Sequence, residues 1–199
     1  MKLFFSPSSP YARKVMICAI LRGIDGRIEI LRADPFATPE ELVRENPLSK
    51  IPCLVTADGR AVYDSPVICE YLDTLGEAAP LFPPTGSAAR LEAQVMHALA
   101  DGIMDAALLR RVLGMQPEET HRAAFLARQQ AAVQRSLAAL EATPPQGLAD
   151  VGAVAVAAAL GYLDFRFAHE PWRAAHPRLA DWFGAVSVLP AIARTAPPA

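Results

Sequence analysis

The feature that most constrains the fold is a change of pattern at residues 80–86, the proline-rich run PLFPPTG. Before this run, short apolar segments alternate with helical patterns. After it, the chain is rich in alanine, leucine, glutamine and arginine and shows no strand alternation. Clusters of proline and glycine mark loops between regular elements. We therefore expect two domains, residues 1–79 and 87–199, joined by a linker at residues 80–86.

The first domain is predicted to be α/β. The Asp58-Gly59 pair lies between two strand-like runs and is a strong hairpin signal. Pro10 suits the first turn of a helix, Gly23 suits its end, and Ser65 suits an N-cap. Strands are expected at residues 3–5, 27–31, 53–56 and 60–63, and helices at residues 10–22, 39–44 and 65–76. The order βαβ followed by ββα is typical of a thioredoxin-like fold.

The second domain is predicted to be all-helical. Apolar residues recur every fourth position in its first helix, which predicts one buried face. Further helices are expected at about residues 118–141, from Leu148 onward and after Pro177. The predicted buried residues are Leu91, Val95, Leu99 and Ile103 in the first helix and Leu179, Trp182, Phe183 and Val186 in the last.

Charge, cysteine content and hydropathy exclude several classes of protein. A formal charge of −2 argues against a nucleic-acid binder, which normally carries a basic excess. The three cysteines, Cys18, Cys53 and Cys69, have no CxxC spacing, so we expect buried free thiols in a reducing cytoplasm. The apolar run at residues 151–163 is too short to cross a bilayer and predicts a buried core helix.

Residues 9–15, SPYARKV, place a serine hydroxyl where the first helix begins. Backbone N–H groups converge at such a position, and the helix dipole favours a thiolate, carboxylate or phosphate there. Ser9 also fits an ordinary N-cap, and Ser6 and Ser8 are neighbouring candidates for the same contact. The segment is similar to the Cys-Pro-Tyr-Cys turn of glutaredoxins, but Ser9 and Ala12 replace both cysteines, which excludes dithiol exchange here.

Five segments together resemble the cytosolic glutathione S-transferases of the serine type, and the likeness covers essentially the whole chain. Two further segments, at residues 98–105 and 161–166, resemble a bacterial YibF-type subgroup. The resemblance implies a thioredoxin-like α/β domain followed by an all-α domain, and a homodimer. The five segments are residues 9–15, 46–52 (NPLSKIP), 64–72 (DSPVICEYL), 148–150 (LAD) with the apolar run after it, and 176–183 (HPRLADWF).

The resemblance also implies a glutathione site. Ser9 would stabilise the thiolate of glutathione, whose sulfur attacks the electrophile. A cis bond before Pro52 would leave the backbone of Ile51 free to pair with the peptide-like ligand. Asp64 and Ser65 would hold the γ-glutamyl end, although the family more often carries Glu at the first of these positions. Lys50 either adds positive charge beside the glycyl carboxylate or is a solvated loop residue.

The second substrate, a small electrophile, is expected in a largely apolar cleft between the domains, near Tyr11, Phe36 and the first long helix. On that helix Asp101 and Asp105 share a face, where they contact either a polar substrate or the other domain. The four histidines show no metal-ligand spacing, so no metal is expected. We also expect no membrane partner.

Glutathione conjugation is therefore the predicted activity, and two alternatives stay open. A glutathione-dependent isomerase or dehalogenase could use the same activated thiol, because the fold leaves the electrophile open. A non-catalytic regulatory protein could use the same scaffold. One departure from the family concerns the core helix, where Gly147 replaces the usual capping Ser or Thr. We expect Gly147 to act as a weaker N-cap, with Asp150 complementing the helix dipole.

Overall fold

The computed structural model describes residues 1–116 and 120–198. Its contacts divide the chain into two compact units. One contains residues 1–85 together with residues 190–199, and the other contains residues 86–189.

The first unit is built on a mixed four-stranded sheet of order β2-β1-β3-β4. β1 pairs in parallel with β2 and antiparallel with β3, and β3 pairs antiparallel with β4. The bounds are β1 Lys2–Phe5, β2 Glu29–Arg32, β3 Cys53–Val55 and β4 Ala61–Val62.

Both faces of this sheet are covered. Phe4 and Cys53 are opposite each other on β1 and β3 and pack with Leu42 on one face. Leu3 and Leu54 point to the other face, as strand alternation requires, and are also fully buried. The helices of the unit are α1 Pro10–Leu21, α2 Glu40–Glu45 and α3 Ser65–Asp73, and α1 packs against α3. This arrangement is the predicted thioredoxin-like fold.

Most element ends in this unit lie within one residue of the sequence prediction, but three expectations were wrong. β2 begins two residues late because residues Asp25–Arg27 form a 3-10 turn. The N-cap of α3 is Asp64, so Ser65 is the first helical residue and not the cap. α3 ends at Asp73, well before Gly76. Gly76 is needed for another reason, since a Cβ there would lie 2.4 Å from the carbonyl oxygen of Arg22.

The last residues of the chain were expected in the helical domain, but residues 190–199 group with the first unit. The short helix α8, Pro190–Ala193, lies against α1. Buried Arg13 of α1 donates to the carbonyl oxygen of Ile192 at 3.3 Å and to Thr195 Oγ1 at 3.4 Å. Helix α1 is therefore held from both sides, by α3 and by this C-terminal segment.

The second unit is all-helical, as predicted. Its helices are α4 Ala88–Gly114, α5 Thr120–Ala142, α6 Val151–Arg166 and α7 Pro177–Ser187. The predicted start of α5 at residue 118 lies outside the described residues. Every residue of α6 from Val151 to Leu163 is buried, which confirms the predicted core helix. Within the described ranges, no helix is both long and apolar enough to span a bilayer.

The two predicted helix faces had different outcomes. In α7 the buried residues are Leu179, Trp182, Phe183 and Val186, as expected. In α4, however, Leu91 and Val95 are 65% and 60% exposed. The buried face of α4 is made mostly of small residues, because α4 and α6 approach so closely that a Cβ at Gly152 would lie 2.7 Å from the carbonyl oxygen of Ala93. That buried face consists of Ala93, His97, Ala100, Ile103, Met104, Ala106 and Ala107.

The start of α6 also differs from the expectation. Gly147 is not its N-cap but adopts a left-handed backbone with φ +55°, and its carbonyl oxygen accepts a bond from Trp182 Nε1 at 3.1 Å. Asp150 is the N-cap, and its carboxylate accepts from the N–H of Ala153 at 2.9 Å. The side chain of Asp150 therefore caps this helix, and no Ser or Thr is needed at position 147 for that purpose.

Candidate functional site

The sheet register brings three of the sequence motifs to one end of the sheet. At this end β1 and β4 finish and β3 begins, and we call it the edge of the site. Phe4 is opposite Cys53, so the end of β1 lies beside the start of β3. Leu54 is opposite Val62, so the end of β4 lies beside the same start. The segments that continue from these strand ends are residues 6–9, 50–52 and 63–65. Chain topology alone therefore places Ser9, Ile51 and Ser65 at the same end of the sheet.

Ser9 is the N-cap of α1, and its hydroxyl oxygen accepts a hydrogen bond from the N–H of Ala12 at 3.2 Å. The side chain is half-buried. This bond uses one lone pair of the oxygen and leaves the hydroxyl proton available to a second partner. The hydroxyls of Ser6 and Ser8 lie 3.2 Å apart and bond to each other, which engages the proton of one of the two. Of the three serines, Ser9 is the one that caps the helix.

The loop before β3 presents its backbone at the same edge. The bond between Ile51 and Pro52 is cis, and none of the described backbone hydrogen bonds involves Ile51. Pro52 is buried and Ile51 is half-buried. The residue that shapes this loop is Asn46, whose amide nitrogen donates to the carbonyl oxygen of Lys50 at 2.8 Å and whose side-chain oxygen accepts from the N–H of Leu48 at 3.1 Å.

Sequence reasoning missed Asn46, which is 1% exposed. The signal was available in the Asn-Pro pair at positions 46 and 47, since asparagine side chains bond to the backbone two residues on and so initiate turns. Lys50 itself is exposed, and the structure shows no ion pair to it among the described residues. Its backbone, held by Asn46, is fixed, whereas its charge faces solvent.

Helix α3 also begins at this edge. Its N-cap, Asp64, is exposed and makes no side-chain cap hydrogen bond, and the bond between Tyr63 and Asp64 is cis. Ser65 is 2% exposed. The first N–H groups of a helix have no partner within it, so the start of α3 offers backbone donors and a positive dipole end to an anion.

The cysteine nearest this edge is not a source of thiolate. Cys53 directly follows Pro52, and burial, aided by the negative charge of Glu45, raises the pKa of its thiol to about 11. Cys18 and Cys69 are buried deeper, and their mutual hydrogen bond together with burial raises the pKa of Cys18. All three are free, as predicted. At neutral pH the Cys53 thiol is protonated, so a thiolate at this edge would have to come from a bound molecule.

The residues predicted for the second substrate are distributed over both units. Tyr11 is half-buried on α1, and Phe36, on a 3-10 turn of the first unit, is 76% exposed. Asp105 is exposed on α4 of the second unit. Their joint role therefore stays a prediction. Within the described residues, no three His, Cys, Asp or Glu side chains gather in a way that could hold a metal ion.

Comparison with known proteins identifies the family. Residues 8–75 match the N-terminal domain of glutathione S-transferases, and residues 123–185 match their C-terminal domain. Over its whole length the chain is 34% identical to the uncharacterized GST-like protein YibF of Escherichia coli K12, covering 99% of it. The chain belongs to the glutathione S-transferase family.

Solved structures of bacterial transferases have the same fold. A glutathione transferase family member from Pseudomonas fluorescens Pf-5, crystallised with bound glutathione, is 40% identical. It aligns with a TM-score of 0.92 over 100% of this chain and 99% of that one. A glutathione S-transferase from Methylobacillus flagellatus KT, also with glutathione bound, is 34% identical with a TM-score of 0.91 over 99% of both chains. The predicted family and architecture are thus confirmed.

Proposed function

We propose that this protein is a glutathione transferase that activates the thiol of glutathione for attack on a small electrophile. The observation that supports the proposal is that the segments carrying Ser9, Ile51 and Ser65 adjoin strand ends on the same side of the sheet. Family members 40% and 34% identical over nearly their whole length hold glutathione in crystals. The three parts match the three chemical features of that tripeptide: a thiol, a peptide backbone and a charged γ-glutamyl end.

Each part has a distinct task. The open start of α3 receives the γ-glutamyl carboxylate through the N–H groups near Ser65, while Asp64 pairs with the amino group. Ile51, whose N–H and C=O have no backbone partner among the described bonds, pairs with the peptide of glutathione as an added strand would. Lys50 stands beside the glycyl carboxylate. These contacts place the sulfur against Ser9 with no residue of the chain forming a covalent bond.

The energy required of Ser9 is within reach of one hydroxyl. Lowering a thiol pKa from about 8.5 by about two units requires roughly 2.7 kcal/mol of preferential stabilisation of the thiolate. A hydrogen bond to a charged acceptor contributes roughly 1.5–3 kcal/mol, and a helix N-terminus about 0.3–1 kcal/mol more. The Ala12 N–H donates to the Ser9 oxygen, which polarises the hydroxyl and strengthens its own donation to sulfur.

Calorimetry with glutathione tests binding, and ultraviolet titration of the bound thiolate tests activation. We expect saturable binding, weakened at least tenfold in Ser65→Ala. Conjugation to an aromatic chloride, isomerisation of a maleyl compound and dehalogenation of a haloacid then separate conjugation from the isomerase and dehalogenase alternatives. If glutathione does not bind at millimolar concentration, conjugation, isomerisation and dehalogenation with glutathione are all excluded. A non-catalytic regulatory role is then the alternative that remains.

For the electrophile, we propose contacts from Tyr11, Phe36 and Asp105. Aromatic side chains suit a largely apolar substrate, and an exposed carboxylate suits a polar or cationic group on it. Substituting Tyr11 or Phe36 by Ala should raise KM for the electrophile while leaving glutathione affinity unchanged. A change in glutathione affinity alone would contradict this assignment.

We further propose that the protein acts as a homodimer in the reducing cytoplasm. Leu91 and Val95 are exposed on the same side of α4, and exposed apolar side chains that lie together suit an interaction surface. The free, buried cysteines are consistent with a reducing compartment. Light scattering should give twice the chain mass for the native protein and a monomer for Leu91→Glu/Val95→Glu. A monomeric native protein would contradict the dimer.

A further inference from the structure

One buried residue connects the backbone at Ile51 to the core of the first unit. Helix α2 ends at Asn46, whose N–H donates to the carbonyl oxygen of Leu42 at 2.7 Å. Leu42 is fully buried and packs with Phe4 and Cys53 on one face of the sheet. Asn46 is almost completely buried as well. The loop that leads to Ile51 therefore starts from a fixed point in the core.

The other three polar atoms of Asn46 all bond within this loop. Its carbonyl oxygen accepts from the N–H of Ser49 at 2.9 Å. Its side-chain oxygen accepts from the N–H of Leu48 at 3.1 Å, and its side-chain nitrogen donates to the carbonyl oxygen of Lys50 at 2.8 Å. The two ends of the side chain thus have different partners. The oxygen closes the turn at the start of the loop, and the nitrogen holds the end of the loop.

The bond to Lys50 fixes the direction of the next N–H group. The carbonyl of Lys50 and the N–H of Ile51 belong to one planar peptide unit, which is trans, so the two groups point in opposite directions. Because the Lys50 carbonyl points to the buried amide of Asn46, the Ile51 N–H points away from it. None of the described hydrogen bonds involves Ile51, so its N–H is oriented and available to a ligand.

The loop is held in a conformation that it would not adopt alone. Ser49 has a left-handed backbone with φ +50°, which costs free energy for a residue with a side chain. Its bond to the carbonyl oxygen of Asn46 helps to keep it there. Ordering a flexible backbone costs conformational entropy, and a group that is ordered by folding does not incur that cost again on binding. A fixed Ile51 N–H therefore binds a peptide carbonyl more tightly than a mobile one.

We propose that Asn46 is a positioning residue for glutathione: its side-chain amide holds the Lys50–Ile51 peptide unit so that the Ile51 N–H meets a peptide carbonyl of the ligand. This rests on the proposed function, in which Ile51 pairs with the peptide of glutathione. Because Asn46 is buried, it acts through the backbone and does not touch the ligand. The site then favours thiols that carry a peptide backbone, since a simple thiol has no carbonyl for the fixed N–H.

The test is calorimetry of the whole protein with S-methylglutathione. This probe keeps the peptide and the γ-glutamyl end but has no ionisable thiol, so its affinity reports the backbone contacts apart from thiolate stabilisation by Ser9. Asn46→Ala removes both side-chain bonds and should raise the Kd about fivefold to tenfold, as expected for one hydrogen bond of ordinary strength. An unchanged Kd would overturn the proposal.

Asn46→Asp separates the two ends of the side chain. Aspartate keeps an acceptor for the Leu48 N–H, but an ionised carboxylate has no donor for the Lys50 carbonyl. We therefore expect a loss of affinity at least as large as in Asn46→Ala. If Asn46→Asp binds the probe as the native protein does, the turn at Leu48 is sufficient and the bond to Lys50 has no part in binding.

Thr56→Val is the matched control for a general loosening of the first unit. Thr56 is buried, and its hydroxyl bonds to the N–H and the carbonyl oxygen of Arg60 at 2.9 and 3.1 Å. This bridge also spans four residues, as that from Asn46 to Lys50 does, but it lies in the hairpin between β3 and β4. Thr56→Val should lower Tm and leave the Kd unchanged. If it weakens binding as much as Asn46→Ala, the effect is loss of stability and not positioning.

The Ile51 amide signal in nitrogen-15 NMR spectra gives a second readout. In the native protein and in Thr56→Val the Ile51 N–H should be as rigid as the N–H groups of β3, and in Asn46→Ala it should be more mobile. A mobile Ile51 N–H in the native protein would overturn the proposal even if neither Asn46 variant folds. If the native protein binds neither glutathione nor the probe, the proposed function fails and this inference fails with it. If the native protein binds both but the Ile51 signal does not shift, this inference alone is wrong.

Discussion

Two helices of this molecule begin with the same residue type at the same position, yet they differ in how their first turns are satisfied. Asp150, the N-cap of α6, accepts a hydrogen bond from the Ala153 N–H at 2.9 Å. Asp64, the N-cap of α3, makes no side-chain cap bond. The residue type therefore does not decide whether a helix start is closed. The start in the packed core is closed, and the start at the edge of the sheet is open.

The other helix starts strengthen this contrast. Ser9 closes α1, and Ser87 closes α4 by accepting from the Arg90 N–H. α7 has no side-chain cap of its own, but Glu141 of α5 accepts from its first N–H groups. Among helices of more than eight residues with a described start, α3 is the one left without a side-chain acceptor. An open helix start leaves backbone N–H donors for a bound anion.

The largest expected effect tests whether close packing at the capped start of α6 stabilises the fold. A Cβ at Gly152 would meet the Ala93 carbonyl oxygen at 2.7 Å and Asp150 Oδ1 at 3.0 Å. Gly152→Ala should therefore destabilise the protein by about 1–3 kcal/mol through overpacking, measured by urea unfolding. Gly102→Ala is the matched control, since its Cβ meets nothing within 4 Å, and it should stabilise the protein by roughly 0.5–1 kcal/mol. Equal effects would mean that α4 and α6 are not in close contact.

The next effect compares the two aspartates directly. Asp150→Ala removes a capping hydrogen bond and should cost about 1 kcal/mol of unfolding free energy without changing glutathione affinity. Asp64→Ala removes no such bond, so it should leave stability within about 0.5 kcal/mol of the native value and weaken glutathione binding. Paired urea unfolding and calorimetry measure both quantities. If Asp64→Ala instead lowers the free energy of unfolding and Asp150→Ala instead weakens glutathione binding, the start of α3 stabilises the fold and is not a binding site.

The sequence was sufficient for elements whose buried residues are large and distinct. The buried face of α7 was predictable because Leu179, Trp182 and Phe183 are bulky residues at helical spacing, and the hairpin was predictable from Asp58-Gly59. The buried face of α4 was not, because the close contact with α6 selects alanine and glycine, whose hydropathy signal is weak. Leu91 and Val95 gave the stronger hydropathy signal, but their side chains are exposed.

Features that depend on distant parts of the chain could not be read from local sequence. The contact of Arg13 with Ile192 joins residues far apart along the chain, and no local pattern points to it. In the candidate site, the place of Ser9 as the N-cap of α1 was predictable from Pro10 after it, while the roles of Ser9 and Ser65 toward a ligand stay predictions. The role of Asn46 and the missing cap at Asp64 were not predictable. Both depend on which hydrogen bonds the loops make once the strands are in register.

A smaller effect separates the two roles of Ser9. Ser9→Ala should cost about 1 kcal/mol as a lost N-cap, whereas Ser9→Gly should cost only a few tenths of a kcal/mol, because glycine is tolerated at this position. Both remove the hydroxyl, so both should raise the pKa of bound glutathione toward its value of about 8.5 in solution. Ultraviolet titration measures that pKa. If Ser9→Gly leaves it unchanged, Ser9 is only a cap and another group stabilises the thiolate.

The smallest effect concerns Glu141, the residue of α5 that caps α7, and it is lost in acid. Burial opposes ionisation of Glu141, but hydrogen bonds from the N–H groups of Leu179 and Arg178, at 2.8 and 3.1 Å, outweigh it and lower the pKa of Glu141. A carboxylate with a lowered folded pKa stabilises the protein above its unfolded pKa, about 4.3 for Glu, and this contribution is lost as pH falls through the folded pKa.

Glu141→Gln should therefore be less stable than the native protein near neutral pH, and the difference should shrink as the pH falls through the lowered folded pKa and the native carboxylate takes up a proton. Urea unfolding across this pH range measures the difference. Glu92→Gln is the control, because Glu92 is exposed on α4 and accepts no hydrogen bond among those described, so its stability curve should run parallel to the native one. A difference for Glu141→Gln that stays constant with pH would mean that the shape of the side chain, and not its charge, closes α7. The open start of α3 would then differ from the others in geometry alone.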